Sequence, residues 1–314
     1  MILEPMSEKF AAMLRDESRM EGYAEAVARP RDADELAQAV KEAARRGMGI
    51  IVQGAATGLL GGAIPHGGLL ISTRGMHKIL GLRERDGRLF LRVQAGVTLE
   101  QVEAYLRKPI HGRTYHFPSN PTEQTATMGG AFASDAVGTR GRVRDYISDV
   151  LWAEGFAAEL ELALRPVPGV NWGVILFFVS PGKARLFAQA WESGDTFAGC
   201  AYFDAAALDL LRGHYDALTL PQDAREALYL ELSGEEESAV EEELAGLLEL
   251  FLAHGGREER AWAAEGPREM AKFRALCHAV PELINSELDK AGVARPGLCK
   301  AALDRMYIGL DMIP

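Results

Sequence analysis

The stretch Gln53-Gly54-Ala55-Ala56-Thr57-Gly58-Leu59-Leu60-Gly61-Gly62-Ala63-Ile64-Pro65 decides how this chain is read. It follows a short apolar strand, Ile50 to Val52, and holds four glycines beside the small Ala55, Ala56 and Thr57, but no lysine or arginine. Glycine opens backbone conformations and close approaches that a Cβ forbids. A segment of this make-up can meet an anion only through rows of main-chain N–H groups, the alternative to basic side chains at a phosphate. It is not a Walker A loop, because Gly-Lys-Ser/Thr is missing, and it lacks the G-x-G-x-x-G spacing of a dinucleotide fold. Taken alone, a plain glycine-rich turn between strands explains it equally well.

Working outward, residues up to about Ala28 read as an N-terminal helix and loop. Asp32 is placed to N-cap a helix, with Glu35 as the other half of a capping box. Leu36, Ala39, Val40, Ala43 and Ala44 form its apolar stripe, and Gly47 stops it. Strands are predicted over 69–72 and 89–95, with Asp86-Gly87 as a hairpin turn. Thr98 and Gln101 make a second capping box, opening a helix with Leu99, Val102, Tyr105 and Leu106 on one side. A second small-residue segment, Phe117 to Gly138, has Gly129-Gly130 at the start of a short buried helix. There Thr125, Thr127, Gly129 and Gly130 are expected to offer hydroxyls and bare amides. Ala131, Ala133 and Ala136 keep the face thin enough for a flat ring.

Beyond Pro168 strands and helices alternate: strand 174–179, helix 184–191, strand 199–203, helix 205–211, strand 227–232 and a charged helix 235–254. This order predicts an α+β sandwich of ferredoxin-like type. The acidic run Glu235-Glu236-Glu237 and Glu241-Glu242-Glu243 reads as a solvated helix face.

At 314 residues and 48% hydrophobic composition, two domains are the natural division. A formal net charge of −11 without a polybasic run excludes a nucleic-acid footprint. Cys200, Cys277 and Cys299 are dispersed and form no Cys-x-x-Cys pair, so no zinc or iron–sulfur site is assembled locally. They read as reduced thiols of a cytoplasmic protein. Nothing near Met1 reads as a signal peptide and no stretch reads as long and apolar enough to span a membrane, and peripheral attachment to a membrane complex stays open.

The ordered set of motifs resembles a known family, the FAD-linked oxidases of the vanillyl-alcohol oxidase or p-cresol methylhydroxylase type, in the glycolate oxidase and D-lactate dehydrogenase subunit branch. The likeness starts at Arg29-Pro30 and runs through Val52 to Pro65, Val93 to Glu100 (Val-Gln-Ala-Gly-Val-Thr-Leu-Glu) and Phe117 to Gly130 (Phe-Pro-Ser-Asn-Pro-Thr-Glu-Gln-Thr-Ala-Thr-Met-Gly-Gly). Gly138 and Val143-Arg144-Asp145-Tyr146 complete it. The resemblance implies a two-subdomain PCMH-type FAD-binding domain over residues 1–168 and a ferredoxin-like cap, or substrate, domain over 169–314. It implies that Gln53, Gly54, Ala55, Ala56, Thr57, Gly58, Gly61 and Gly62 cradle the diphosphate of FAD. Pro118, Ser119, Thr127, Met128, Gly129, Gly130, Ala133, Ser134 and Gly138 would line the ribityl and flavin side. Asn120 stands where the family has Asp, which keeps turn-forming chemistry. With no His inside the first loop, and His66 just past it reading as a turn residue, covalent flavin attachment is not expected.

The likeness fails in two places. From Ile147 to Arg165 the sequence reads as one strand running into another with Gly155 as the only break, too little for a two-residue turn. A segment carrying the family's Gly-Ser-Glu-Gly-Thr-Leu-Gly-Ile motif is therefore expected to be missing from the second subdomain. Tyr307 to Pro314 reads as an interior cap strand, without the His-x-Gly-Asp-Gly-Asn-x-His segment that follows in the family. No catalytic residue stands out. His111 and His116 could face the flavin, and Arg295 and Lys300 could pair with a carboxylate, although a surface position explains each more simply. The function implied is oxidation of a 2-hydroxy acid such as glycolate or D-lactate by hydride transfer to FAD, with an iron–sulfur electron-transfer subunit or a quinone as acceptor. A non-catalytic flavin- or nucleotide-binding subunit or remnant is the alternative, and a plain nucleotide-binding module comes after it.

Overall fold

The computed structural model describes residues 3–294 and 306–307. The chain divides into two compact units: among the described residues, 3–137 and 142–167 form the first, and 138–141, 168–294 and 306–307 the second.

The first unit holds two four-stranded sheets. Strand β1 (Leu3–Pro5) pairs antiparallel with β2 (Ala26–Ala28). Helix α1 (Ala33–Arg45), β3 (Ile50–Gln53) and β4 (Leu69–Ser72) follow, and β4 lies parallel to both β2 and β3. The N-terminal segment is thus an edge strand and a 3-10 turn over Glu8–Leu14 rather than the helix and loop expected. Asp32 caps α1 by accepting from the Glu35 N–H at 2.9 Å. Glu35 does not complete the box, because its carboxylate accepts instead from the Arg31 N–H and guanidinium, a charge-assisted partner. Leu36, Ala39 and Ala43 carry the helix onto the sheet, whereas Ala44 is exposed. Gly47 ends the helix at φ +65°.

The second sheet is antiparallel and built of two hairpins. Strands β5 (Ile79–Arg85) and β6 (Arg88–Gln94) are joined by Asp86-Gly87, with φ +52° and +69°. Helices α2 (Leu99–Leu106) and α3 (Met128–Ala133) come next, and Thr98 with Gln101 forms the full capping box at the head of α2. Strands β7 (Ile147–Ala153) and β8 (Phe156–Ala163) then pair with each other, and β8 pairs with β6. Here the sequence reading is corrected. Glu154 and Gly155 make a two-residue turn between paired Ala153 and Phe156, because Glu154 itself takes the left-handed conformation at φ +49° beside Gly155 at +88°. That matches the right-handed twist of the strands. Leu91, Val93, Leu160 and Leu162 of this sheet bury against Val102 and Leu106 of α2 and Met128 and Ala131 of α3.

The second unit is a five-stranded antiparallel sheet. Strand β9 (Val170–Phe178), α4 (Lys183–Ala190), β10 (Phe197–Phe203), α5 (Ala205–His214), β11 (Glu226–Gly234), α6 (Glu237–Ala253), β12 (Ala261–Glu265) and α7 (Gly266–Ala294) follow in order. In space the strands run β12, β9, β11, β10 and then Met306–Tyr307. This is the ferredoxin-like order, with α4 and α6 on one face and α5 and α7 covering the other. The fold is α+β, as the sequence predicts. Alternation sorts β9: Trp172, Val174, Leu176 and Phe178 face α4 and α6, while Ile175 and Phe177 face α5 and α7. The acidic face of α6 is solvated apart from Glu243, which accepts from the Gly194 N–H and the Thr196 hydroxyl.

Within β11, Glu231 is fully buried. It accepts from Arg140 at 2.6 Å, Arg274 at 3.0 Å and the Tyr229 hydroxyl at 2.8 Å. Burial alone would raise its carboxyl, but the two guanidinium groups outweigh burial and hold it at about 2. A group depressed in this way stabilises the fold fully above its unfolded value near 4.5, and the contribution fades as pH falls from there toward 2. Urea unfolding followed by tryptophan fluorescence should therefore show stability dropping across that interval. Glu231→Gln should lose about 3–5 kcal/mol at pH 7, the cost of leaving buried cations unpaired. A variant as stable as the parent at pH 7 would contradict this account of the network.

Candidate functional site

The glycine-rich loop leaves the end of β3 and is tied down at several points. Gln53, buried, donates its side-chain N–H to Met13 O (2.9 Å) and Ala63 O (3.1 Å), closing the base of the loop. Its side chain is therefore a brace, not a ligand contact. Gly54 O accepts from Arg74 Nε at 3.2 Å and Ala55 O from Arg74 Nη2 at 2.5 Å. Ala56 O accepts from the Glu17 N–H at 3.1 Å. Ala56 is left-handed at φ +62° and Gly61 at φ +70°. Among the described residues, the amides of Ala55, Ala56, Thr57 and Gly58 donate to no protein acceptor. Unengaged donors flanking a left-handed residue are what an anion-binding backbone nest requires.

The second predicted segment meets the first. Thr127 caps α3, its hydroxyl accepting from the Gly130 N–H at 3.3 Å. A Cβ on Gly54 would lie 2.1 Å from Thr127 Oγ1, so the loop can seat against the helix only where residue 54 has no side chain. Between the two segments lies a cavity of about 390 Å³ lined by Ala55, Arg74, His77, Gly96, Thr98, Gln101, Thr125 and Thr127. The amides at the helix start are not bare, contrary to the sequence reading. The Met128 N–H donates to Val97 O (2.7 Å) and the Gly129 N–H to Ala95 O (2.8 Å). Gly129 is small for packing, since a Cβ there would lie 2.7 Å from Ala95 Cβ. The Met128 side chain is wholly buried in the core.

Pro118 and Ser119 are buried. Ala133 and Ser134 are exposed at the end of α3, where the Ser134 hydroxyl donates to Gly130 O. Gly58 and Gly62 lie exposed on the loop, and Gly138 belongs to the second unit. His111 occupies an exposed turn at φ +51°, and His66 is exposed. His116 pairs with Arg165 in a two-residue ladder and is partly buried. Arg295, Lys300 and Cys299 lie outside the described residues. Cys200 and Cys277 are buried and form no disulfide among the described residues, and burial pushes the Cys277 thiol far up, which keeps it unreactive. Among the described residues no cluster of His, Cys, Asp or Glu could hold a metal ion, and no helix is long and apolar enough to cross a membrane. Two contributors escaped the sequence reading, Arg74 and the 16–18 segment. In the latter, Asp16 binds the Ser18 N–H at 2.9 Å and the Ser18 hydroxyl, in the turn from which the Glu17 N–H reaches Ala56 O.

Residues 24–153 match the family model described as FAD binding domain. Three characterised proteins are similar over this part. The D-lactate dehydrogenase of Archaeoglobus fulgidus is 33% identical over 126 residues, 38% of this chain and 27% of that protein. The D-lactate dehydrogenase of Anaerostipes hadrus is 34% identical over 139 residues, 42% of this chain and 28% of that one. Glycolate oxidase subunit GlcD of Bacillus subtilis is 30% identical over 130 residues, 39% of this chain and 26% of that one. The matched part thus spans about a quarter of these relatives' length. Two solved structures of alkyldihydroxyacetonephosphate synthase share the fold. They have TM-scores of 0.65 and 0.67 at 15% and 13% identity, covering 86% and 91% of this chain and 58% and 61% of theirs. The segment 24–153 is an FAD binding domain, and FAD is its cofactor. The unengaged amides around left-handed Ala56 fit a diphosphate, and among the described residues no acidic side chain lines the cavity.

The contact at Gly54 can be tested by stability alone. Gly54→Ala should lower the unfolding free energy by about 1–3 kcal/mol, as overpacking does. Gly62→Ala, with nothing within 4 Å of its Cβ, should stay within about 0.5 kcal/mol of the parent. Equal effects of the two substitutions would show that the approach of the loop to Thr127 is not tight.

Proposed function

We propose, from the premise that residues 24–153 form an FAD binding domain, that the chain is an FAD-dependent oxidoreductase acting on the CH–OH group of a 2-hydroxy acid such as D-lactate or glycolate. The observation that carries the cofactor half of this reading is the row of unengaged amides from Ala55 to Gly58, set around a left-handed residue and backed by Thr127. The substrate half rests on the names of the relatives, two D-lactate dehydrogenases and a glycolate oxidase subunit. We assign residues 1–168 to the FAD-binding domain and 169–314 to a cap domain.

Bound FAD supplies the redox chemistry, accepting a hydride from the carbinol carbon. The protein contributes binding and position. Gln53, Gly54, Ala55, Ala56, Thr57, Gly58, Gly61 and Gly62 hold the diphosphate with main chain. Gln53 acts through its brace on Ala63 and Met13. Pro118, Ser119, Thr127, Met128, Gly129, Gly130, Ala133, Ser134 and Gly138 shape the ribityl and flavin side, where the glycines and alanines leave room for a flat ring. An iron–sulfur partner subunit or a quinone would be the electron acceptor, and association with a partner is supported by the word subunit in the name of one relative. The protein acts in the cytoplasm.

A second reading is a flavin- or nucleotide-binding subunit without catalysis. It is favoured by the cavity lining, in which the one imidazole, His77, lies 3.1 Å by Nδ1 from Arg74 O, and His111 and His116 take no part. Absorbance of the purified protein separates the two. An oxidised flavin band that bleaches on anaerobic addition of D-lactate or glycolate is the expected result. A flavin band that neither substrate bleaches would favour the second reading, and a colourless folded protein that takes up no added FAD would overturn the first and leave only the non-catalytic one.

A further inference from the structure

Arg74 sits in a 3-10 turn, Thr73–Gly75, directly after β4 and about twenty residues beyond the carbonyls it binds. The turn is held firmly. Thr73 is buried, its hydroxyl donates to Gln53 O at 3.4 Å, and a Cβ on Gly75 would lie 2.6 Å from Pro30 O. The Arg74 side chain reaches across the surface from this support, and one guanidinium takes two consecutive carbonyls, Gly54 O and Ala55 O.

That geometry constrains the amides. In a trans peptide the C=O and N–H point in opposite directions. Gly54 O shares its peptide with the Ala55 N–H, and Ala55 O with the Ala56 N–H. In an extended chain consecutive carbonyls would point to opposite sides. Here both converge on one cation, so both N–H groups must turn to the side away from it. The Glu17 N–H fixes the third peptide in the row by binding Ala56 O, and left-handed Ala56 provides the reversal that lets the row bend. A guanidinium is suited to this task because its planar fork offers several donors in fixed directions.

We propose that Arg74 is a positioning residue for the diphosphate of the dinucleotide. It acts through the loop by clamping the carbonyls of Gly54 and Ala55, so that the amides of Ala55 and Ala56 are preset for an anion. The inference rests on the FAD reading above and names a part of the site that lies outside the glycine-rich loop. Preset donors bind more tightly because the ordering of the loop does not have to accompany binding.

Titration calorimetry of the full chain, stripped of cofactor, with ADP and with adenosine tests it. The parent should bind ADP, and Arg74→Ala should weaken ADP by at least about tenfold, a change equivalent to about 1.4 kcal/mol. Adenosine, which has no phosphate, should differ by less than about twofold between the two proteins. Arg74→Lys separates clamping from charge, because a single ammonium keeps the charge without the planar fork. It should recover only part of the loss. Thermal unfolding of each apoprotein checks that the fold is retained, and if Arg74→Ala does not fold, Arg74→Lys and Arg74→Gln carry the comparison. Unchanged ADP affinity in a folded variant would overturn the proposal. So would full recovery by lysine, which would mean that charge alone acts, or an equal loss for adenosine, which would mean general damage to the site. A parent protein that binds neither ADP nor FAD would instead remove the FAD reading, and this inference with it.

Discussion

The near-contact of Gly54 with Thr127 Oγ1 is the constraint on which the site depends. One residue belongs to the loop after a parallel strand and the other caps a short helix on an antiparallel sheet, and a Cβ would separate them. The same requirement recurs around the cavity. A side chain at Gly96 would meet Thr73 O at 2.0 Å and Met76 O at 2.7 Å, and one at Gly129 would meet Ala95. Three missing Cβ atoms thus let the chain close on Thr127, on the Thr73 and Met76 carbonyls and on Ala95. Peptide donors carry no titratable proton and have little freedom to lose, which makes them a durable surface for a doubly charged group.

A chain with a net charge of −11 needs some local means of admitting a dinucleotide. The structure supplies it without a basic residue in the loop. Arg74 lines the cavity from a separate turn, and its contacts with the loop are to the carbonyl oxygens of Gly54 and Ala55. Its charge still acts across a short distance, while its geometry sets the direction of the amides. Asp16, the acidic group nearest Gly58, has one carboxylate oxygen held by Ser18 and is buried away from solvent. The second unit handles charge in another way, enclosing a carboxylate between two guanidinium groups under α7.

Much of this was legible in the sequence because it is local. Asp32, Thr98 with Gln101, and Asp86-Gly87 act within four residues of themselves, and their chemistry predicts where helices and turns begin. The order of strands and helices past Pro168 was enough for the ferredoxin-like type, whereas the run Val174 to Val179 is apolar throughout and only the structure sorts Val174 and Leu176 from Ile175 and Phe177. What stayed hidden was either tertiary or against propensity. Nothing in the string Glu154-Gly155 marks a glutamate that accepts φ +49°, so the sequence reads there as one strand running into another with Gly155 as the only break. The packing role of Gly129 was hidden because a glycine that packs and one that binds look alike until Ala95 is seen beside it. Arg74 carried no signal at all, its carbonyl partners being about twenty residues away in the chain.

The central claim is that uncharged peptide groups of the first loop receive the diphosphate. The most direct measurement is the 15N–1H spectrum of the chain labelled with nitrogen-15, followed as ADP is added. The account predicts that the amides of Ala55, Ala56 and Thr57 move strongly downfield and become protected from hydrogen exchange as the nucleotide saturates. Saturable ADP binding that leaves those three signals in place, with the shifts gathered elsewhere, would contradict it.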